Sequence, residues 1–196
     1  FRHLVAMHRG DGGPELPFFL VAGMFGNVLN LRHLAQQIGA DRPFYGLQAR
    51  GLYGDEPPHE DFASAARDYI AEMRQVQPSG PYLVGGFSGG GLIAWEIARQ
   101  LQAMGEEVPL LVLLDTPLPK RPELSKTDKL QIRLAEMRAE GSAFFPRWWR
   151  DKQAAREAQA ARLLGDRTAQ GSFHNLAIEA AFLRALQDYS LEPRLN

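Results

Sequence analysis

Residues 82–101 read YLVGGFSGGGLIAWEIARQL. Strand-forming residues Tyr82–Phe87 end in Ser88, a serine hemmed in by glycines, and a helical pattern starts at once. Its Ile93, Ile97, Leu101 and Met104 recur at helical spacing, and Gly105 ends it. Gly86-Phe87-Ser88-Gly89-Gly90 fits the G-x-S-x-G pattern in the context that pattern requires, strand before and helix after. A serine on so tight a bend is forced into an unfavourable backbone region. Its neighbours must therefore lack side chains, so that strand and helix can pass closely. The hydroxyl then projects above the carboxyl edge of a sheet, where the free N–H groups of the first helical turn favour developing negative charge. The competing reading is a glycine-rich connection with an incidental serine. The flanking strand and helix favour a nucleophile.

Working outward, strands and helices alternate. "FFLVAG", Phe18 to Gly23, is a short apolar run of the kind covered on both faces of a sheet. A helix with Leu31, Leu34 and Ile38 at its spacing follows, with Asn27 or Asn30 as cap and Gly39 as stop. A second buried strand runs from Phe44 to Gln48, followed by a loop with Gly51, Gly54, Pro57 and Pro58. Phe62, Ala66, Tyr69, Ile70 and Met73 mark a helix with Asp61 as N-cap. Beyond the serine turn, Leu110 to Leu114 is another wholly apolar strand, closed by Asp115. This rhythm predicts βαβ units and a mostly parallel sheet flanked by helices.

After Pro122 the texture changes. Residues 126–164 are rich in Arg, Lys, Glu, Gln and Ala, with an aromatic island, Phe144–Trp149, and a further helical pattern runs from Phe173 to Tyr189. We expect one domain over 1–196, with a sheet core at 1–116 and a helical subdomain at 117–191.

Composition narrows the function. The chain is 45% hydrophobic and 23% charged with a formal net charge of −1, which suits a globular core and gives no basic surface for nucleic acid or anionic membrane. There is no cysteine, so disulfides, cysteine nucleophiles and thiolate metal sites are excluded. No apolar run is long enough to span a bilayer. The start, FRHLVAMHRGDGG, carries no cleavable apolar region and no initiator Met, and reads as a piece of a longer polypeptide.

A serine hydroxyl needs a base, usually a histidine oriented by a carboxylate. Asp115 ends the strand directly after the elbow's helix, so a parallel sheet brings it to the same edge as Ser88; the alternative is a turn-forming Asp before Thr-Pro. An oxyanion hole needs two backbone N–H groups, one from Gly89 and one from the loop AGMFGN, Ala22–Asn27.

Taken together, "PFFLVAGMFGN", "FYGLQARGL", "YIAEMRQVQPSGPYLVGGFSGGGLIAWEIARQL" and "VPLLVLLDTPLP" resemble the thioesterase domains that end non-ribosomal peptide and polyketide synthases, a branch of the α/β-hydrolase fold. The form fused to the assembly line is the better match. The resemblance implies Ser88 as acyl-accepting nucleophile, Asp115 as triad acid, and the N–H groups of Met24 and Gly89 as the oxyanion hole, with Gly86 and Gly90 as elbow glycines. It makes the stretch after Pro119 a lid. It implies a substrate carried as a thioester on the phosphopantetheine of an upstream carrier domain, no bound cofactor or metal, a monomer, and a cytoplasmic setting. The family's histidine lies in a loop after the final strands, downstream of the lid. His3, His8, His33 and His59 precede the elbow, and His174 falls in the lid. The triad histidine and the last strands are therefore expected to be missing, and the fragment inactive. The remaining alternatives are an esterase, a lipase or a stand-alone editing thioesterase of the same fold, or a non-catalytic acyl-binding module. The aromatic island either lines an acyl channel or clamps the lid. Arg147, Arg150 and Lys152 either meet an acidic carrier or form a solvated face.

Overall fold

Phe18–Val21 is buried along its length, and in the computed structural model it is the middle strand of a five-stranded sheet. The structure describes residues 1–39, 41–117, 125–141, 144–150, 152–153 and 175–189. The strands are β1 (Leu4–His8), β2 (Phe18–Val21), β3 (Phe44–Leu47), β4 (Leu83–Phe87) and β5 (Leu110–Leu114), in the order β1-β3-β2-β4-β5. β3, β2, β4 and β5 are parallel; β1 runs antiparallel to β3. β1 has no counterpart in the sequence reading, because a short half-covered edge strand inside FRHLVAMHRGDGG shows no clean alternation.

Alternate residues of each strand feed the two faces of the sheet. Phe19, Val21 and Val84 pack with Tyr69, Met73, Ile97 and Leu101 of helices α2 (Phe62–Val76) and α3 (Gly90–Ala103). Phe18, Leu20 and Phe44 pack with Leu31 and Ala35 at helix α1 (Arg32–Ile38). Asp61 caps α2, its side chain accepting the Ser64 N–H. Asn27 accepts the N–H of Leu29 ahead of α1, and Gly39 ends that helix at a φ of 107°.

Two apolar stretches are left partly uncovered. In β5, Leu110 and Leu113 are 45% and 43% exposed, since among the described residues it pairs only with β4. Met104 is 51% exposed, because it follows the last turn of α3 and the chain leaves at Gly105.

Two compact units divide the chain, one of 1–119 with 173–196 and one of 120–172. This differs from the 117–191 subdomain boundary. Helix α6 (Leu176–Asp188) groups with the sheet unit because its Phe182 and Ala185 are buried on Phe62 and Leu92. The other unit contains α4 (Lys126–Glu140), started by a Ser125–Asp128 capping box, and α5 (144–150). There Phe144 is buried while Phe145 and Trp149 are more than half exposed. Arg147 pairs with Glu136 and Glu140, and Lys152 lies 4.4 Å above the Trp148 ring. No helix among the described residues is long and apolar enough to cross a membrane.

Candidate active site

Ser88 stands between β4 and α3 with φ of 50°, in the left-handed region that L-residues avoid. The bend holds because nothing projects from its neighbours. A Cβ on Gly90 would lie 2.1 Å from the Ala22 carbonyl oxygen, and one on Gly86 would lie 2.3 Å from that of Gly90. Strand, turn and helix thus pack backbone against backbone. The Ser88 N–H donates to Leu114 O at 2.7 Å, which extends the β4–β5 ladder one step past the Phe87–Leu114 pair.

Asp115 follows the last residue of β5 as Ser88 follows the last residue of β4, so both leave adjacent parallel strands at the same carboxyl rim. Its φ is 51°, matching that of Ser88. The pair are the only non-glycine residues with positive φ among the described residues. The left-handed conformation costs on the order of 1–2 kcal/mol at Ser88, whereas aspartate, like asparagine, adopts it more readily. Asp115 is exposed and Ser88 half-buried.

β2 ends on the other side of β4, with Val21 paired to Gly86. Its chain turns at Gly23–Gly26, closed by a 2.8 Å hydrogen bond from Gly26 N–H to Gly23 O. Met24 lies inside that turn, and Gly89 precedes the first turn of α3. Neither N–H has a backbone acceptor among the described residues. A cavity of about 80 Å³ lies here, lined by Gly23, Met24, Asn27, Asn30, Phe87 and Ser88. The cavity brings the Ser88 hydroxyl together with the Met24 turn, while Gly89 lies next to Ser88 in sequence and Asp115 at the same strand rim. Such a set suits addition to an acyl carbonyl.

The histidines are elsewhere. His8 Nε2 is 3.1 Å from Ala35 O, His59 Nε2 is 2.8 Å from Asp68 Oδ2, and His33 is exposed on α1. His3 is buried beside His59. None hydrogen-bonds Ser88 among the described residues; His174 lies outside them. Sequence reasoning missed Phe182, whose ring lies so close over Gly89 that a Cβ there would be 2.4 Å from Cζ. No local pattern couples a helix more than ninety residues downstream to the elbow.

A mixed sheet with helices on both faces and a strand-to-helix turn at Ser88 is the architecture of the α/β-hydrolase fold. The chain belongs to the thioesterase domain family, whose family model matches residues 17–192. Over 108 residues, 55% of this chain, it is 44% identical to an indigoidine synthase of Dickeya dadantii (strain 3937). Over 117 residues, 60% of this chain, it is 42% identical to polyketide synthase PksR of Bacillus subtilis (strain 168). The matched segments span 7% and 4% of those relatives. A four-domain non-ribosomal peptide synthetase, holo-AB3403, superposes with a TM-score of 0.66 at 26% identity, covering 97% of this chain and 16% of that one. The NocB thioesterase domain gives 0.63 at 21% identity, covering 96% and 72% respectively, a likeness of fold.

Proposed function

We propose that the chain is the acyl-releasing thioesterase of a peptide or polyketide assembly line, acting through a serine acyl-enzyme. The observation that supports this reading is that Ser88 and Asp115, both with positive φ, directly follow neighbouring parallel strands of a thioesterase-family fold. Ser88 Oγ attacks the carbonyl carbon of a thioester on the phosphopantetheine arm of the preceding carrier domain. A histidine takes the hydroxyl proton and passes it to the departing thiol; none of the described histidines stands at Ser88, and His174 lies outside the described residues. Asp115 orients that imidazole and stabilises its protonated form. The N–H groups of Met24 and Gly89 receive the tetrahedral oxyanion, each contributing about 3 kcal/mol in the transition state. Water, or a nucleophile within the bound chain, then attacks acyl-Ser88 and returns the proton through the same base. Water yields a free acid, and the internal nucleophile a ring.

The test uses the longer parent polypeptide, its carrier domain included. After treatment with a fluorophosphonate, intact and peptide mass spectra are expected to show one adduct, on Ser88, and none in Ser88→Ala. Release from a carrier-linked thioester should fall to background in the same variant. An unlabelled Ser88 in a folded protein would leave an acyl-binding module. Faster turnover of a simple ester than of the carrier thioester would point to an esterase.

A further inference from the structure

We propose that His3, His59 and Asp68 form a binding site for a divalent transition-metal cation, with Zn²⁺ the best match to its ligand set. One nitrogen from each imidazole and one carboxylate oxygen lie within 4.8 Å of one another. They come from the start of β1, the loop before α2, and α2 itself. No metal site is expected from the sequence, because ligands drawn from three separate segments leave no spacing signature.

His3 is only 5% exposed, and its Nδ1 is buried without a hydrogen-bond partner among the described residues. A buried ring nitrogen left unpaired is costly, and such orphans call for an explanation. The His59 side chain is 7% exposed, whereas that of Asp68 is 45% exposed, so the cluster is dry on the imidazole side and open to solvent through the carboxylate. A hydrated ion has a way in. Tyr69 closes the back, its ring 5.6 Å from that of His3 and 5.8 Å edge-on to that of His59. An apolar wall behind nitrogen and oxygen donors strengthens their hold on a cation.

With no cysteine in the chain, the donor set is nitrogen and oxygen, which suits Zn²⁺ over soft Cu(I) or the all-oxygen cages of Ca²⁺ and Mg²⁺. Tetrahedral Zn²⁺ with bonds of about 2.0–2.2 Å sets its ligand atoms roughly 3.4 Å apart. The cluster reaches that by small ring rotations, the 2.8 Å His59–Asp68 pair opening and the longer spacings closing. Arg50 is a positive charge at the site, its Nη1 3.4 Å from Asp68 Oδ2. Its Nε is held separately by Pro57 O at 2.9 Å, so the guanidinium can yield the carboxylate and keep an anchor. Three protein ligands leave a fourth position for water. The site fastens β1 to α2 and shares no residue with Ser88 or Asp115.

The experiment is a Zn²⁺ titration of the tag-free, chelator-treated chain by calorimetry, with Co²⁺ absorption reporting geometry. The expected result is a single ion per chain, a tetrahedral Co²⁺ spectrum and a higher melting temperature with Zn²⁺. His3→Gln and Asp68→Asn should each weaken binding by about tenfold or more, as loss of a ligand requires, while His33→Gln on the exposed face of α1 leaves it unchanged. Absence of stoichiometric uptake by the folded chain would overturn the proposal. So would equal affinity in wild type and Asp68→Asn, a change at a half-exposed position that leaves the core intact and so decides the matter even if the histidine variants do not fold.

Discussion

Two stretches of the same sheet rim treat their backbone donors in opposite ways. β1 runs antiparallel, so its start lies level with the ends of β2, β3 and β4, through the pairs Leu4–Leu47, Val21–Leu47 and Val21–Gly86. At the β1 end, the N–H groups of Arg2, His3 and Leu4 all donate to the carboxylate of Glu72, a side chain only 8% exposed, at 2.7–3.2 Å. At the β4 end, the N–H groups of Met24 and Gly89 have no backbone acceptor, and Ser88 and Asp115 hold positive φ. One end is satisfied from within the fold, and the other keeps donors and strain in reserve. Glu72 shows what such donors want, an oxygen carrying negative charge. The proposed tetrahedral oxyanion would meet the same need at the elbow.

The contrast breaks most completely at Gly90. An Ala there puts Cβ 2.1 Å from Ala22 O and 2.7 Å from Val21 O, backbone atoms that cannot swing aside. The strand–helix contact must open, and urea unfolding followed by tryptophan fluorescence should show a loss of about 4 kcal/mol or more. Glu72→Ala comes next. It strips three N–H groups of their acceptor in a buried setting and should cost about 3 kcal/mol, leaving the β1 end as unsatisfied as the elbow. Glu72→Gln, which keeps one carbonyl oxygen as acceptor, should recover part of that loss.

Ser88→Gly sharpens the comparison in the opposite direction. Glycine accepts a φ of 50° without penalty, so the variant should be more stable than wild type by about 1 kcal/mol while losing all fluorophosphonate labelling. A gain in stability with loss of chemistry is the signature of strain held for function. Asp115→Gly should behave alike. A destabilised Ser88→Gly would mean that the bend is stabilised by its side chain and is not strained.

How much of this was legible varies with how local the information is. The elbow is written in five consecutive residues, Gly86–Gly90, each answering one steric demand of the turn. Asp115 needed only the parallel order of neighbouring strands to reach the Ser88 edge. β5 was found at its observed bounds, but its exposure was not legible, since apolar content does not reveal how many neighbours a strand has. β1 escaped because an edge strand with one covered face carries half the usual signal. Phe182 over Gly89, and the meeting of His3, His59 and Asp68, depend on segments far apart in sequence.

The smallest expected effect lies beside the satisfied end, at His59, and its sign follows from what surrounds the ring. Burial disfavours its charged form and, with the like charges of Arg50 and His3, outweighs the hydrogen bond to Asp68 and the attraction of that carboxylate, while Tyr69 packs against the ring. The imidazole is therefore harder to protonate in the folded chain than at its ordinary value of 6.5. Below 6.5 the unfolded chain takes up the proton first, so stability is full above that pH and declines as pH falls towards the lowered folded value. The decline for one proton cannot exceed about 1.4 kcal/mol per pH unit. His59→Gln should flatten this limb of the stability curve, measured as urea midpoints in metal-free buffer between pH 7 and 5. The Asp68 carboxyl, which burial would raise but which the His59 hydrogen bond and the nearby positive charges hold below its ordinary value, adds a second decline at more acidic pH. In the variant that lower limb should weaken as well, because the hydrogen bond that holds Asp68 down is gone. An unchanged slope between pH 7 and 5 in His59→Gln would mean that the ring titrates alike in both states, and that its burial beside Asp68 is fully offset.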